Sequence, residues 1–167
     1  MTAALEQQLA AWDIAYQKVE HPAVFTYAEA EAKVPPMPGA HTKNLFLRDR
    51  KGRRHVLVVV SGDKRVDLGA LARQLAVDKL SLASRDRLWK YLGVEPGAVT
   101  LLALINDCER VVEVVIDRRV WAASALQCHP LVNTATLVIE RADVERFLEK
   151  TGQVWRVVDV PARAEDV

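Results

Sequence analysis

The chain has 167 residues, half of them hydrophobic and 27% charged, with a formal net charge of +1. This is the size and make-up of one domain spanning residues 1–167 with a substantial core, and it excludes wholesale disorder. No apolar run nears the roughly 18 residues of a membrane helix, and Glu6 and Asp13 precede the first basic residue, Lys18, which does not fit a secretory signal.

Residues 3–12 read as an amphipathic helix with Leu5, Leu9 and Trp12 on one stripe. An extended stretch at 15–19 follows, and Thr26 with Glu29 forms a capping box for a short Ala/Glu-rich helix. The proline-rich segment 34–39 must be loop. It leads into a strand at 43–48 (KNLFLR), which a turn at 49–53 pairs with the β-branched run 55–60. Helices are predicted at 67–75 and 84–92, the second capped by Ser84 and ended by Gly93. Segments 99–105, 111–116 and 134–140 read as strands, 142–150 as a helix closed by Gly152, and 154–158 as extended. Strands outnumber helices and partly form hairpins. The expected fold is therefore mixed α/β, a curved and largely antiparallel sheet with flanking helices.

The common chemical motifs are missing. There is no G-x-G-x-x-G, no phosphate loop and no serine in a nucleophile-elbow context. The histidines, His21, His41, His55 and His129, have no i, i+4 partner and no C-x-x-C beside them, which argues against a structural zinc site. Cys128 and His129 are adjacent, but neighbours on an extended segment face opposite ways, so a Cys–His dyad there needs a bend. Cys108 and Cys128 are too few for a disulfide scaffold, and a reduced cytoplasmic protein is expected.

The small net charge hides a segregation. Residues 41–91 hold thirteen Lys/Arg against five Asp/Glu, and the remainder holds ten against seventeen. A basic block on an acidic chain suits a surface that faces a polyanion, although scattered solvated side chains would give the same count. Two polar clusters stand at the ends of apolar strands: His41-Thr42-Lys43-Asn44 before Leu45, and His129 to Thr134 before Ala135. Strand ends above an apolar floor are where a scaffold presents a site; the alternative is that these groups cap strands and satisfy loop carbonyls.

Four strings in these regions, HPAVFT (21–26), TKNLFLRD (42–49), LLALIND (101–107) and HPLVNTAT (129–136), resemble the YbaK/prolyl-tRNA editing superfamily. The likeness spans about residues 5 to 160 and is strongest to the freestanding Ala-tRNA(Pro) deacylases. It implies an α/β domain on a barrel-like mixed sheet, with no cofactor and no metal. The implied reaction is hydrolysis of the ester joining a wrong amino acid to the terminal adenosine of tRNA(Pro). A synthetase pocket sized for proline rejects a smaller side chain by only about 1–3 kcal/mol, so a second site must clear the errors. Cys-, Ser- or Thr-mischarged tRNA is the nearest alternative substrate, and a non-catalytic nucleic-acid-binding module the alternative of a different class.

By the same resemblance, Lys43 matches the family's functional lysine, an ammonium that would hold phosphate or ribose and orient the ester, and Asn44 the adjacent asparagine. The ribose hydroxyl beside the ester would assist, leaving no need for a protein base. His129 matches the HPL histidine and would shape the amino-acid pocket or contact the acceptor end, with base catalysis the lesser alternative. His21, Val19, Gly97 and Thr100 are candidates for its wall. Leu101 stands where many members carry the proline of a G-x-x-x-P loop beginning at Gly97. Arg48, Arg50, Lys51, Arg53, Arg54 and Arg85 are the candidates for the acceptor stem of the tRNA. Prolyl-tRNA synthetase is a candidate partner in trans.

Overall fold

A computed structural model describes residues 2–164. The first helix, α1 (Thr2–Ala11), buries Leu5 and Leu9, and Trp12 just beyond it meets Phe147 edge-on at 5.9 Å, so the expected stripe does face the core. Next come β1 (Gln17–Glu20) and α2 (Tyr27–Lys33). The capping box of α2 is real: Glu29 N donates to Thr26 Oγ1 at 3.1 Å, and the Glu29 carboxylate accepts from Phe25 N at 3.3 Å. Yet α2 buries no residue. Its cap and its contacts with the neighbouring cleft hold it, not a hydrophobic face.

The hairpin β2 (Ala40–Arg48) and β3 (His55–Ser61) forms the centre of the sheet. β3 is apolar without alternation because both of its faces are covered. Leu57 and Val59 enter the main core, with Phe46, α1 and α4 (Arg85–Leu92). Val56, Val58 and Val60 enter a second cluster under α3 (Leu68–Leu75). After α3 come β4 (Ser81–Leu82), α4, β5 (Val112–Asp117), α5 (Arg118–Trp121), β6 (Ala125–Cys128), β7 (Ala135–Glu140), α6 (Arg141–Thr151) and β8 (Trp155–Val158). The strand order is β1-β7-β6-β2-β3-β5-β8, with β4 pairing separately to β2. Four of the seven pairings are antiparallel; β2–β6, β3–β5 and β5–β8 are parallel. This is the mixed α/β sheet with flanking helices that the sequence predicts.

One predicted strand is not a strand. Residues 99–105 contain instead a 3-10 helix, Leu101–Asn106, opened by Thr100, whose Oγ1 accepts from Leu102 N at 3.2 Å. Leu101, Leu102, Ala103 and Leu104 are all buried, so the segment shows no two-residue alternation, and a short apolar run reads equally well as either element. The short elements β4, α5 and β6 are additions to the predicted list.

Candidate active site

β2 is paired with β3 from Thr42 to Arg48 on one edge but only at the ends of the other. On that second edge Ala40 and His41 pair with β6, while Leu47 and Arg48 pair with β4. Residues 42–45 are left between them without a strand partner, and a cleft of about 490 Å³ opens there. Cross-strand register sorts the side chains. Lys43 lies opposite Val60, on the α3 side of the sheet, and Asn44 lies opposite Val59, on the main-core side. Because the cleft wraps the open edge, both consecutive residues line it despite facing opposite ways.

Lys43 Nζ donates to the Lys64 backbone carbonyl, in the turn after β3. Burial holds its ammonium below the ordinary lysine range, with Asp63 opposing that effect and Arg65 adding to it. Asn44 lines the cleft, and its Oδ1 is a buried acceptor with no hydrogen-bond partner among the described residues. Such a group costs about 1–3 kcal/mol when it finds no donor, so the arrangement favours a ligand that brings one.

His129 and Thr136 form part of the floor, and Gly97 also lines the cleft, beside Phe25. His129 Nδ1 is 3.2 Å from the Ala135 carbonyl, and a carbonyl can only accept, so Nδ1 carries the proton and Nε2 is the acceptor. Burial lowers the pKa of His129; the Ala135 bond raises it less, and His21 and His41 lower it further. It is a neutral imidazole at pH 7. The His21 ring sits behind the floor, not on it. Its Nδ1 donates to the Pro22 carbonyl at 2.9 Å, which makes Nε2 the acceptor of the Thr136 hydroxyl at 2.8 Å. The rings of His21 and His129 stand 6.4 Å apart, so His21 orients the floor through Thr136.

Three of the wall candidates are not at the cleft: His21, behind the floor, and Val19 and Thr100. Val19 lies on β1, paired with Thr136 across the ladder but outside the lining. Thr100 is fully buried, its hydroxyl used as the cap of the 3-10 helix, and Leu101 beside it is packed in the core. Gly97 has φ +91°, and a Cβ there would meet Phe25 Cδ1 at 2.8 Å, so the missing side chain lets the Phe25 ring close down on the loop. Cys128 is buried, and burial alone pushes its thiol up to about 12; it is a thiol at neutral pH and forms no dyad with His129. Among the described residues no three His, Cys, Asp or Glu side chains converge as a metal site.

Arg48, Arg50, Lys51, Arg53 and Arg54 lie at the β2–β3 turn, and Arg85 at the start of α4. Asp49 is six steps along the chain from Lys43, about 20 Å at ~3.3 Å per residue. Arg48 spends its guanidinium on the Asp49 and Arg50 carbonyls. Arg54 forms a two-pronged pair with Glu113 at 2.9 and 2.7 Å, Arg50 pairs with Asp78, and Arg85 with Glu95. Lys51 and Arg53 are exposed, with no carboxylate partner among the described residues.

The model of the Aminoacyl-tRNA editing domain family matches residues 21–147, which include the whole cleft floor and both strands of the central hairpin. The chain belongs to the aminoacyl-tRNA editing domain family. It is 39% identical over 147 residues to the Prolyl-tRNA editing protein ProX of Acetoanaerobium sticklandii, covering 88% of this chain and 90% of that one. It is 44% identical over 149 residues to the Prolyl-tRNA synthetase associated domain-containing protein 1 of Danio rerio, covering 88% and 80%. A solved structure described as a candidate trans-editing enzyme for prolyl tRNA synthetase shares the fold, with a TM-score of 0.71 at 22% identity over 98% of both chains.

Several lining residues of this editing domain escape a sequence reading. Thr42 donates from Oγ1 to the Gln127 carbonyl at 2.5 Å, and Gln127 Nε2 reaches the carbonyls of Met37, Pro38 and Gly39 at 3.3–3.4 Å, tying down the proline loop. Gln127 lies on β6, a four-residue strand too short to announce itself. Tyr27, on the exposed helix α2, meets the His41 ring edge-on at 4.9 Å. Phe25 is 67% exposed at the rim; its only sequence signal is its place in the HPAVFT string.

Proposed function

We propose that this editing domain hydrolyses the ester of mischarged tRNA(Pro), with Ala-tRNA(Pro) as its substrate, acting in trans in the cytoplasm with the whole chain as one unit. The observation that carries this reading is the open edge of β2, where Lys43 and Asn44 flank a cleft floored by a neutral His129. A volume of about 490 Å³ suits an aminoacyl-adenosine end and not the body of a tRNA, so only the terminus enters.

An aminoacyl ester is already activated, so the site must place a water and stabilise the oxyanion that forms when it adds to the carbonyl. The Lys43 ammonium supplies fixed positive charge beside the ester without giving up its proton. Asn44 Oδ1 offers its unused lone pairs to the α-ammonium of the amino acid. The proton lost by the attacking water passes to the departing ribose oxygen, with the neighbouring ribose hydroxyl as relay. His129, already held as a neutral ring, shapes the floor on which the amino-acid side chain rests.

Purified protein incubated with Ala-, Cys-, Ser- and Pro-tRNA(Pro) tests the reading by loss of the ester. Selective loss of the alanyl ester, abolished by Lys43→Ala and not restored by Lys43→Arg, is the expected result, since a guanidinium cannot replace a positioned ammonium. Binding of tRNA with no ester lost would overturn it.

A further inference from the structure

Lys43 finds its carbonyl acceptor only because the turn after β3 stands where it does. Lys64 provides that carbonyl, and the Lys64 side chain points the other way, into the protein. Its Nζ lies 2.6 Å from Asp117 Oδ2, at the end of β5, and donates to the Val160 carbonyl at 2.9 Å. Asp117 Oδ1 accepts from Val160 N at 3.1 Å, so one carboxylate ties down both Lys64 and the chain that follows β8. The two side chains are 16% and 2% exposed. That following chain then runs along the turn: Asp67 N donates to the Pro161 carbonyl at 2.9 Å, Arg163 N to the Arg65 carbonyl at 2.7 Å, and Val66 bridges Ala162.

Stability alone is a poor reason for this arrangement. A buried ion pair can often be exchanged for apolar side chains of similar volume without loss, whereas removing one partner leaves a buried charge exposed to the full desolvation penalty. What the pair does supply is place. It fixes the main chain at Lys64 from the inner side while Lys43 binds the same residue from the cleft side. A neutral pair of leucines could fill the volume but could not fix the direction of the carbonyl.

We infer that Lys64 and Asp117, together with the segment Val160 to Arg163, are positioning residues that seat the Lys43 ammonium at the open edge of β2. The inference rests on the reading of Lys43 as the group that orients the ester. It makes the last described stretch of the chain a working part of a site built on the central hairpin.

The double variant Lys64→Met/Asp117→Leu removes both charges together and leaves neither buried alone. Steady-state deacylation of Ala-tRNA(Pro) separates kcat from KM, and lysine side-chain NMR reports Lys43 Nζ directly. A displaced reacting group of this kind lowers kcat by about 10- to 100-fold, and KM should move less than about threefold. The Lys43 Nζ signal should shift or broaden. Lys64→Arg, which can re-form the pair with Asp117, should recover most of the rate. If the double variant does not fold, Lys64→Gln/Asp117→Asn keeps hydrogen bonding without charge and is read in the same way. A folded variant with wild-type kcat and an unchanged Lys43 signal overturns the inference. Lys43→Ala in the same assay separates the two ideas: wild-type turnover there refutes the role of Lys43 itself, while the NMR signal of the double variant still reports whether Lys64 seats the ammonium.

Discussion

Gly62 is a residue at which the site should be sensitive and the fold tolerant. It follows β3, and its N–H donates to the His41 carbonyl at 2.9 Å. A Cβ built there would lie 2.1 Å from His41 Nδ1 and 2.6 Å from Tyr27 Cδ2. In Gly62→Ala the His41 ring must retreat by roughly 1.3 Å to reach ordinary contact, and Tyr27 with it. Overpacking of a rigid core costs about 1–3 kcal/mol. Here the cost should sit at or below the bottom of that range, because His41 Nδ1 has no hydrogen bond to lose and α2 buries nothing. One kcal/mol corresponds to about 2–4 °C of Tm for a chain of this size. Both rings line the cleft, however, and a shift of 1 Å in a binding wall can cost about 100-fold in rate. Thermal unfolding and deacylation kinetics on the same preparation decide it: a Tm within about 4 °C of wild type with kcat/KM reduced at least tenfold. A large fall in Tm would refute the claim that α2 and His41 stand outside the packed core. Unchanged kinetics would refute the claim that their close approach to Gly62 shapes the site.

Thr100→Val keeps the shape of a buried residue but loses the cap of the 3-10 helix; it should lower stability by about 0.5–2 kcal/mol and leave KM unchanged, whereas a raised KM would return Thr100 to the pocket. His41, His55 and His129 all have pKa values lowered from 6.5, in each case first by burial. The unfolded chain therefore takes up protons before the folded one does. Stability should be full above pH 6.5 and fall as the pH drops through the lowered folded values, read as the urea midpoint between pH 7.5 and 5. His55→Phe, at a ring stacked on Phe46 and tilted against Tyr91, should flatten that slope, and an unchanged slope would contradict it. Lys51→Ala/Arg53→Ala should weaken binding of full-length tRNA and lower the salt slope by about one for every phosphate no longer neutralised. An aminoacyl-adenosine substrate should be unaffected, and equal effects on both substrates would remove the turn from the tRNA surface.

What the sequence made legible follows from how local each signal was. Ser84 and Thr26 announced their helices because a capping hydroxyl acts within three residues, and both accept the expected backbone N–H; Asp67, read as the start of a helix, is its cap. The β2–β3 hairpin was readable from its turn and its β-branched run. The segment from Leu101 to Leu104 was not, since burial on every side erases periodicity. β6 and β4 hold only four and two residues, and their identity depends on the edge of β2 that they meet, a pairing far away in sequence. The same division holds at the site. Lys43, Asn44 and His129 lie on strings that the resemblance marks, Gly97 opens the loop compared with the family's G-x-x-x-P, and all four line the cleft. Val19 and Thr100 were chosen for neighbourhood in sequence, and the ladder and the 3-10 cap take them elsewhere. The partners of Lys64 are invisible in one dimension, because Asp117 and Val160 come from distant turns of the chain.

The gap in the ladder between β6 and β4 has an evolutionary consequence. Along residues 42–45 the cleft is bordered by peptide groups that no neighbouring strand occupies, and peptide groups are the same whatever side chain follows them. Point mutation can change what projects from this border, but it cannot rewrite the border itself. Related chains can therefore drift in side chain while the main-chain rim of the cleft persists, provided the two short strands on either side continue to stop where they do. Lengthening β4 and β6 by two residues each would zip the opening shut, and with it the function, without touching a single residue that meets the substrate.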